Sequence, residues 1–193
     1  MTPLTTIDML LQDTQIDIKD IGTDTNVQDT VNGIINTATR EVVERLGYHP
    51  VLVKNVTKSF IVQKADYNLI LPIPMKNVTA VTISGGMVND PQLFSPFSFK
   101  QEVFDGNKVN VTADFGLYEV DADNDIDELT GSPIQFATSV IAMHILNKNG
   151  IPTSTNQGGI SATYDKEDSL VSLKSAYEKI DRHTRSWANA ILL

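Results

Sequence analysis

The densest set of groups able to hold a metal is the stretch Asp121-Ala-Asp-Asn-Asp-Ile-Asp-Glu128. A calcium loop of the EF-hand kind needs oxygen ligands at positions 1, 3 and 5, glycine at 6 and a bidentate glutamate at 12. Counted from Asp121, the first three are present, but position 6 is Ile126 and position 12 is Ser132. The turn and the closing ligand are both missing, so the stretch reads as a solvated acidic loop. The three histidines, His49, His144 and His183, have no ligand partner at helical spacing. His144 falls on an apolar helix and is expected as a hydrogen-bonded core residue. No Gly-x-Ser-x-Gly elbow, phosphate loop or dinucleotide fingerprint occurs. Carboxylate pairs are plentiful in any acidic chain and single out no acid/base couple. The sequence nominates no catalytic residue, no cofactor site and no metal ligand.

Composition narrows the partners. At 193 residues the chain is long enough for one domain with a sizeable core. It holds no cysteine, which excludes disulfides and thiolate metal sites and suits a reducing compartment. A formal charge of −9 and a pI of about 4.7 argue against non-specific nucleic-acid binding, which requires clustered Lys and Arg. Such acidity serves solubility, and it would also let a surface lie beside DNA without sticking to it. The N-terminus lacks a basic region followed by an apolar run, and no apolar stretch approaches the roughly 18 residues that span a bilayer. A soluble chain made in the cytosol is expected, with no membrane partner.

The elements that would position any site begin with helices. Thr6 can cap a short helix carrying Ile7, Leu10 and Leu11. Residues 14 to 23 show no clear period and read as a connector. Thr25 with Gln28 forms a capping box, and Val27, Val31, Ile34, Ile35, Ala38, Val42 and Leu46 recur at helical spacing. Gly47 suits the left-handed cap, and Pro50 bars continuation. Gly33 costs this helix about 1 kcal/mol against alanine, which a close helix contact would explain.

From Val51 the period changes. Val51 to Val56, Ser59 to Gln63, Asn68 to Leu71 and Val78 to Ile83 are rich in β-branched residues. Pro72 and Pro74 belong at a strand end or sheet edge, and Gly85-Gly86 marks a turn. Phe97, Phe99, Gln101 and Val103 alternate with more polar neighbours, Asp105-Gly106-Asn107 follows, and Val109, Val111 and Ala113 alternate again. That pattern predicts a β-hairpin from Phe97 to Asp114. Such a ribbon is barely stable alone, so it is expected to project and make contacts through Phe97, Phe99, Phe104, Asp105, Gly106, Asn107 and Lys108.

Ser132-Pro133 starts the next helix, which runs through Ile134, Ala137, Val140, Ile141, Ile145 and Leu146 to Gly150. Phe136 and Met143 lie off the main stripe, so this helix should be enclosed on several sides. Residues 150 to 163 read as a loop. Leu170, Leu173, Tyr177, Ile180, Thr184, Trp187 and Ile191 then repeat at 3-4 spacing and predict one long final helix. That seam packs on its own domain or, in part, on another subunit. The expected fold is α+β and mainly helical. N-terminal helices and two C-terminal helices (1–50 and 132–193) form a bundle, with a β-rich insert at 51–120 and a projecting hairpin.

In this order the pieces resemble the head-tail connector (adaptor) family of tailed bacteriophages. Arg45-Leu46-Gly47-Tyr48 is similar to the stop that ends the family's first helical region. Pro74-Met-Lys-Asn-Val78-Thr-Ala-Val81 with the Gly85 turn, and Val109 to Gly116 as Val-x-Val-Thr-Ala-x-x-Gly, resemble the strands that follow. Two helices then close the family's pattern, and the resemblance covers most of residues 25 to 190.

The resemblance implies a single adaptor domain over 1–193, without catalysis or cofactor. It implies a homo-oligomeric ring, typically of twelve, beneath the portal protein in the virion neck. Such a ring extends the DNA channel, passes DNA without binding it, and supports a downstream stopper or tail protein. The family's C-terminal segment commonly reaches the portal, which makes Trp187, Ile191, Leu192 and Leu193 the expected docking residues. Their chemistry agrees. Trp187 is the only tryptophan, and three adjacent apolar residues point about 100° apart on a helix, so one face cannot bury them all. Two alternatives stay open: another neck or tail-completion protein, and a small cytosolic enzyme or ligand-binding domain.

Overall fold

The helical and the β periods segregate into two units, each built from two separate stretches of chain. One unit comprises Met1–Leu46 with Asp125–His183, the other Gly47–Asn124 with Thr184–Leu193. The structure, a computed structural model, describes residues 2–14, 25–119, 129, 131–148, 156–157, 160–161, 166–183 and 188–193. The connector at 15–24, the acidic stretch 121–128, most of the 150–163 loop, Thr184 and Trp187 lie outside the described residues.

The helical unit holds α1 (Ile7–Thr14), α2 (Thr25–Leu46), α3 (Pro133–Lys148) and α4 (Lys166–Asp181). Two of its helix starts follow the expected chemistry. The Thr6 hydroxyl accepts from Met9 N–H at 3.3 Å, and Ser132 Oγ accepts from Gln135 N–H at 3.1 Å ahead of Pro133. In α2 the residues Val31, Ile34, Ile35, Ala38, Val42 and Leu46 are buried, and Gly47 takes φ 77° just past its end. Gly33 is exposed with open space around it, so no helix contact accounts for it. The central member is α3, which packs against α1, α2 and α4. Ile134, Ala137, Ile141, Met143 and Leu146 are buried around its circumference, as an unpatterned apolar helix requires. His144 is half-buried rather than core.

The strands are β1 (Val53–Val62), β2 (Leu69–Ile70), β3 (Met75–Ile83), β4 (Gly86–Met87), β5 (Leu93–Ser95), β6 (Ser98–Phe99), β7 (Lys108–Phe115), β8 (Asn156–Gln157), β9 (Ile160–Ser161) and β10 (Ala190–Leu192). In the β unit they form a five-stranded antiparallel sheet ordered β10-β1-β7-β3-β4 and a three-stranded one ordered β2-β6-β5. The β8–β9 pair is a separate ribbon. Phe60, Val62, Val109, Val111, Phe115, Met75 and Val81 from the larger sheet are buried, as are Leu69, Leu71, Phe97 and Phe99 in and beside the smaller one.

Three expectations are corrected. The fold is a mixed α/β structure with two antiparallel sheets, not a mainly helical bundle with an insert. The projecting hairpin from Phe97 to Asp114 does not exist. Phe99 pairs with β2 and β5, whereas β7 is the middle strand of the larger sheet between β1 and β3. Alternation fixes which face of a strand is buried but not which strand lies beside it. Finally, the last helix stops at Asp181, and Ile191, which fits the 3-4 spacing, belongs to β10. Ala190, Ile191 and Leu192 pair with Val62, Ile61 and Phe60.

Candidate assembly surface

The middle strand β7 sorts its side chains strictly by parity. Val109, Val111, Ala113 and Phe115 are buried, and Asn110, Thr112 and Asp114 line the opposite face. That face is held by side-chain hydrogen bonds across three strands. Ser59 Oγ donates to Asn110 Oδ1 at 2.6 Å, and Asn110 Nδ2 donates to Thr82 Oγ1 at 3.1 Å. Thr57 and Thr112 share a hydroxyl hydrogen bond of 2.8 Å. The centre of the face is therefore uncharged and internally satisfied.

At one end of β7 a single carboxylate fastens both neighbours. Asp114 Oδ2 accepts from Asn77 Nδ2 at 2.9 Å, and Oδ1 accepts from Asn55 N–H at 2.7 Å. Both asparagines have positive φ, 45° and 51°, and each sits at a register break, one in β3 and one in β1. Asparagine tolerates this left-handed conformation better than other residues with a Cβ. The Asn77 amide first, and then the Asn55 N–H, hold the Asp114 carboxyl below its ordinary range.

The C-terminal strand is anchored by Asn189, which is buried. Its N–H donates to Ile70 O at 3.1 Å and its carbonyl accepts from Gln63 N–H at 2.7 Å. Its amide group donates to Asn68 O and accepts from Ile70 N–H, both at 2.8 Å. The side chain and the backbone N–H thus imitate a strand edge toward β2, while the backbone carbonyl serves the end of β1. Beyond it only Ala190 is buried; Ile191, Leu192 and Leu193 are 51%, 44% and 60% exposed.

The helical unit instead buries a set of polar groups. Gln135 is buried, and its Nε2 lies 2.6 Å from Asp13 Oδ2, 3.0 Å from Ser139 Oγ and 3.1 Å from Thr5 Oγ1. Its Oε1 accepts from Gly131 N–H at 3.2 Å. Nearer α4, Tyr177 donates its hydroxyl to Glu41, and the Arg45 guanidinium stacks 4.5 Å from the same ring while gripping Asp181 at 2.6 and 2.7 Å. Burial, then the bond to Glu41, pushes the Tyr177 phenol up to about 12.

The structure scatters the residues singled out from sequence. Phe97 and Phe99 are core, while Phe104 is 59% exposed at the turn that follows. Asn107 Oδ1 accepts from Phe104 N–H at 2.9 Å, Gly106 takes φ 78°, and Lys108 opens β7 from that turn, which Asp105 also occupies. Ile191 and Leu192 do come together, on a strand rather than a helix, with Leu193 directly after it. Sequence reasoning missed Tyr67, Met87 and Phe94, which are 79%, 74% and 82% exposed, and it missed Asn189. A signal existed only for Met87, directly after the Gly85-Gly86 turn.

Among the described residues, every large apolar side chain classed as exposed lies in the β unit. A cavity of about 160 Å³ beside Val88, Asp90 and Lys100 is smaller than the roughly 300 Å³ of ordinary ligand sites. No helix among the described residues is long and apolar enough to cross a membrane. No family model matches the sequence, and no curated protein matches it.

Proposed function

We propose that this chain is a structural, non-catalytic head-tail adaptor of a tailed bacteriophage, a subunit of a ring beneath the portal that extends the DNA channel and carries the next neck or tail protein. The ring number of twelve and the two partners come from the family resemblance. The observation that carries the reading is that, among the described residues, the exposed large apolar side chains, from Val53 and Tyr67 through Phe94 to Leu193, all belong to the β unit. Contiguous or clustered apolar exposure is what interfaces need and what free monomers avoid. Charge supports the DNA-facing part of the proposal. The helical unit's two stretches carry 16 acidic against 8 basic residues, and those of the β unit 8 against 7, so neither offers duplex DNA a basic footprint.

The test is copy number in purified phage particles that contain this chain. Quantitative mass spectrometry should find it equimolar with a multimeric ring, and electron microscopy should place that ring against the portal. A ring remote from the portal would assign the chain to another neck or tail-completion role. Absence from the particles, together with a catalytic activity abolished by a single substitution, would overturn the reading in favour of an enzyme.

A further inference from the structure

The five-stranded sheet treats its open backbone in two ways. β10 and the Leu193 N–H beyond it cover β1 along residues 59–62, and β4 with the Val88 N–H covers β3 along residues 81–83. Among the described residues no strand pairs with the outer side of the remaining stretches, 53–58 of β1 and 76–80 of β3. Both stretches carry the devices that discourage pairing: Lys54 and Lys58 with a bulge at Asn55 on one side, Lys76 with a bulge at Asn77 on the other. The outermost strands are short, but neither carries a charge, a proline or a bulge. β4 presents Met87, 74% exposed, and β10 presents Ile191 and Leu192, with no charged side chain on either strand.

We infer that β10 of one copy and β4 of the next pair edge to edge, so that the sheet continues from subunit to subunit. This rests on the ring reading and names the contact within it. A closed ring needs two different, complementary patches on each subunit, and the two unprotected edges of one sheet supply such a pair. A two-fold pairing of β10 with β10 would leave every β4 edge bare. Both strands run antiparallel to their inner neighbours and so run the same way, which makes the new pairing parallel. Side-chain parity agrees. Met87 stands opposite Thr82 and Ile191 opposite Ile61, which places both on the polar face, where they would meet. Neither strand carries a charged side chain in a chain of net charge −9, which limits like-charge repulsion where two copies meet. The contact assigns the exposed C-terminal residues to the next subunit rather than to the portal.

The absence of cysteine permits a direct test. Met87→Cys and Ile191→Cys are made separately in the full chain, mixed at high concentration, and oxidised. Directly opposed strand positions bring Cβ atoms within disulfide reach. The mixture should give covalent heterodimer in roughly tenfold excess over either homodimer, because a specific contact raises the effective concentration of the two thiols. The double variant should give a ladder of covalent oligomers. Thr57→Cys replaces Ile191→Cys in the control and should give only background with Met87→Cys. Predominance of the Ile191→Cys homodimer would establish the two-fold arrangement and overturn the inference. Equal heterodimer in the control, or none in the main mixture, would overturn it as well. The ring itself is judged in the particles, so a particle ring lacking this cross-link removes the contact and leaves the ring reading standing.

Discussion

The two units solve opposite problems with similar polar groups. In the helical unit Thr5, Gln135 and Ser139 are buried and satisfy one another, and no large apolar side chain described there is exposed. In the β unit the hydrogen-bonded Ser59, Thr57, Asn110 and Thr112 lie on the outer face, while Met87, Phe94 and Leu193 face solvent. The first arrangement fixes a unique interior, since a buried polar group without a partner is costly. The second lowers the cost of covering a surface, because groups already paired lose little when water leaves. Among the described residues, one unit keeps its large apolar side chains covered and the other exposes several of them.

The sharpest way to break that contrast is at its most buried polar residue. Gln135→Ala leaves Gly131 N–H and Asp13 without their partner and opens a cavity beside Thr5, which should cost about 3 kcal/mol in urea unfolding. A loss below about 0.5 kcal/mol, the range of an ordinary surface substitution, would remove the network from the account of this interior.

A smaller, local effect is expected in the β unit. Asn189→Ala withdraws the side-chain partners of Asn68 O and Ile70 N–H, at about 1 kcal/mol each. The amides of β10 should then exchange with solvent faster, while those of β7 stay protected. Equal acceleration in both strands would show that β10 is part of the cooperative core rather than a strand pinned at one end.

The smallest effect is confined to alkaline pH. Tyr177 has its phenol raised from 10.0 to about 12, so folding favours the protonated form. The stabilisation is fully present below pH 10 and is lost as pH rises toward 12. Tyr177→Phe should flatten this part of the stability profile at the cost of the bond to Glu41. An unchanged alkaline profile would detach the tyrosine from the pairing of α2 with α4.

What could be read beforehand was whatever a residue dictates to its near neighbours. Thr6, Ser132-Pro133 and Gly47 set helix ends, and the apolar stripe of α2 and the closure around α3 followed from spacing. The misreadings all concern partners distant in sequence. Asp105-Gly106-Asn107 is a competent hairpin turn, yet it joins β7 to a strand of a different sheet. Ile191 satisfies a heptad by coincidence, because two apolar residues at a chain end fit a helix face or a strand edge equally well. Asn189 has no signature at all, since its partners lie near residue 70. Of the expected docking set, Ile191 and Leu192 lie in β10, Leu193 follows it, and Trp187 lies outside the described residues.

The fastening at Asp114 bears on how this chain can change in length. Its two oxygens are answered from bulges in two different strands, so the bulges form one unit although 22 positions separate Asn55 from Asn77. Deleting a residue from either bulge would send the rest of that strand's side chains to the opposite face. It would also withdraw one donor from the carboxylate that the other bulge still uses. Insertions and deletions at the two bulges therefore meet at a residue in neither strand: removing the β1 bulge leaves Asp114 with the Asn77 amide, and removing the β3 bulge leaves it with the Asn55 N–H.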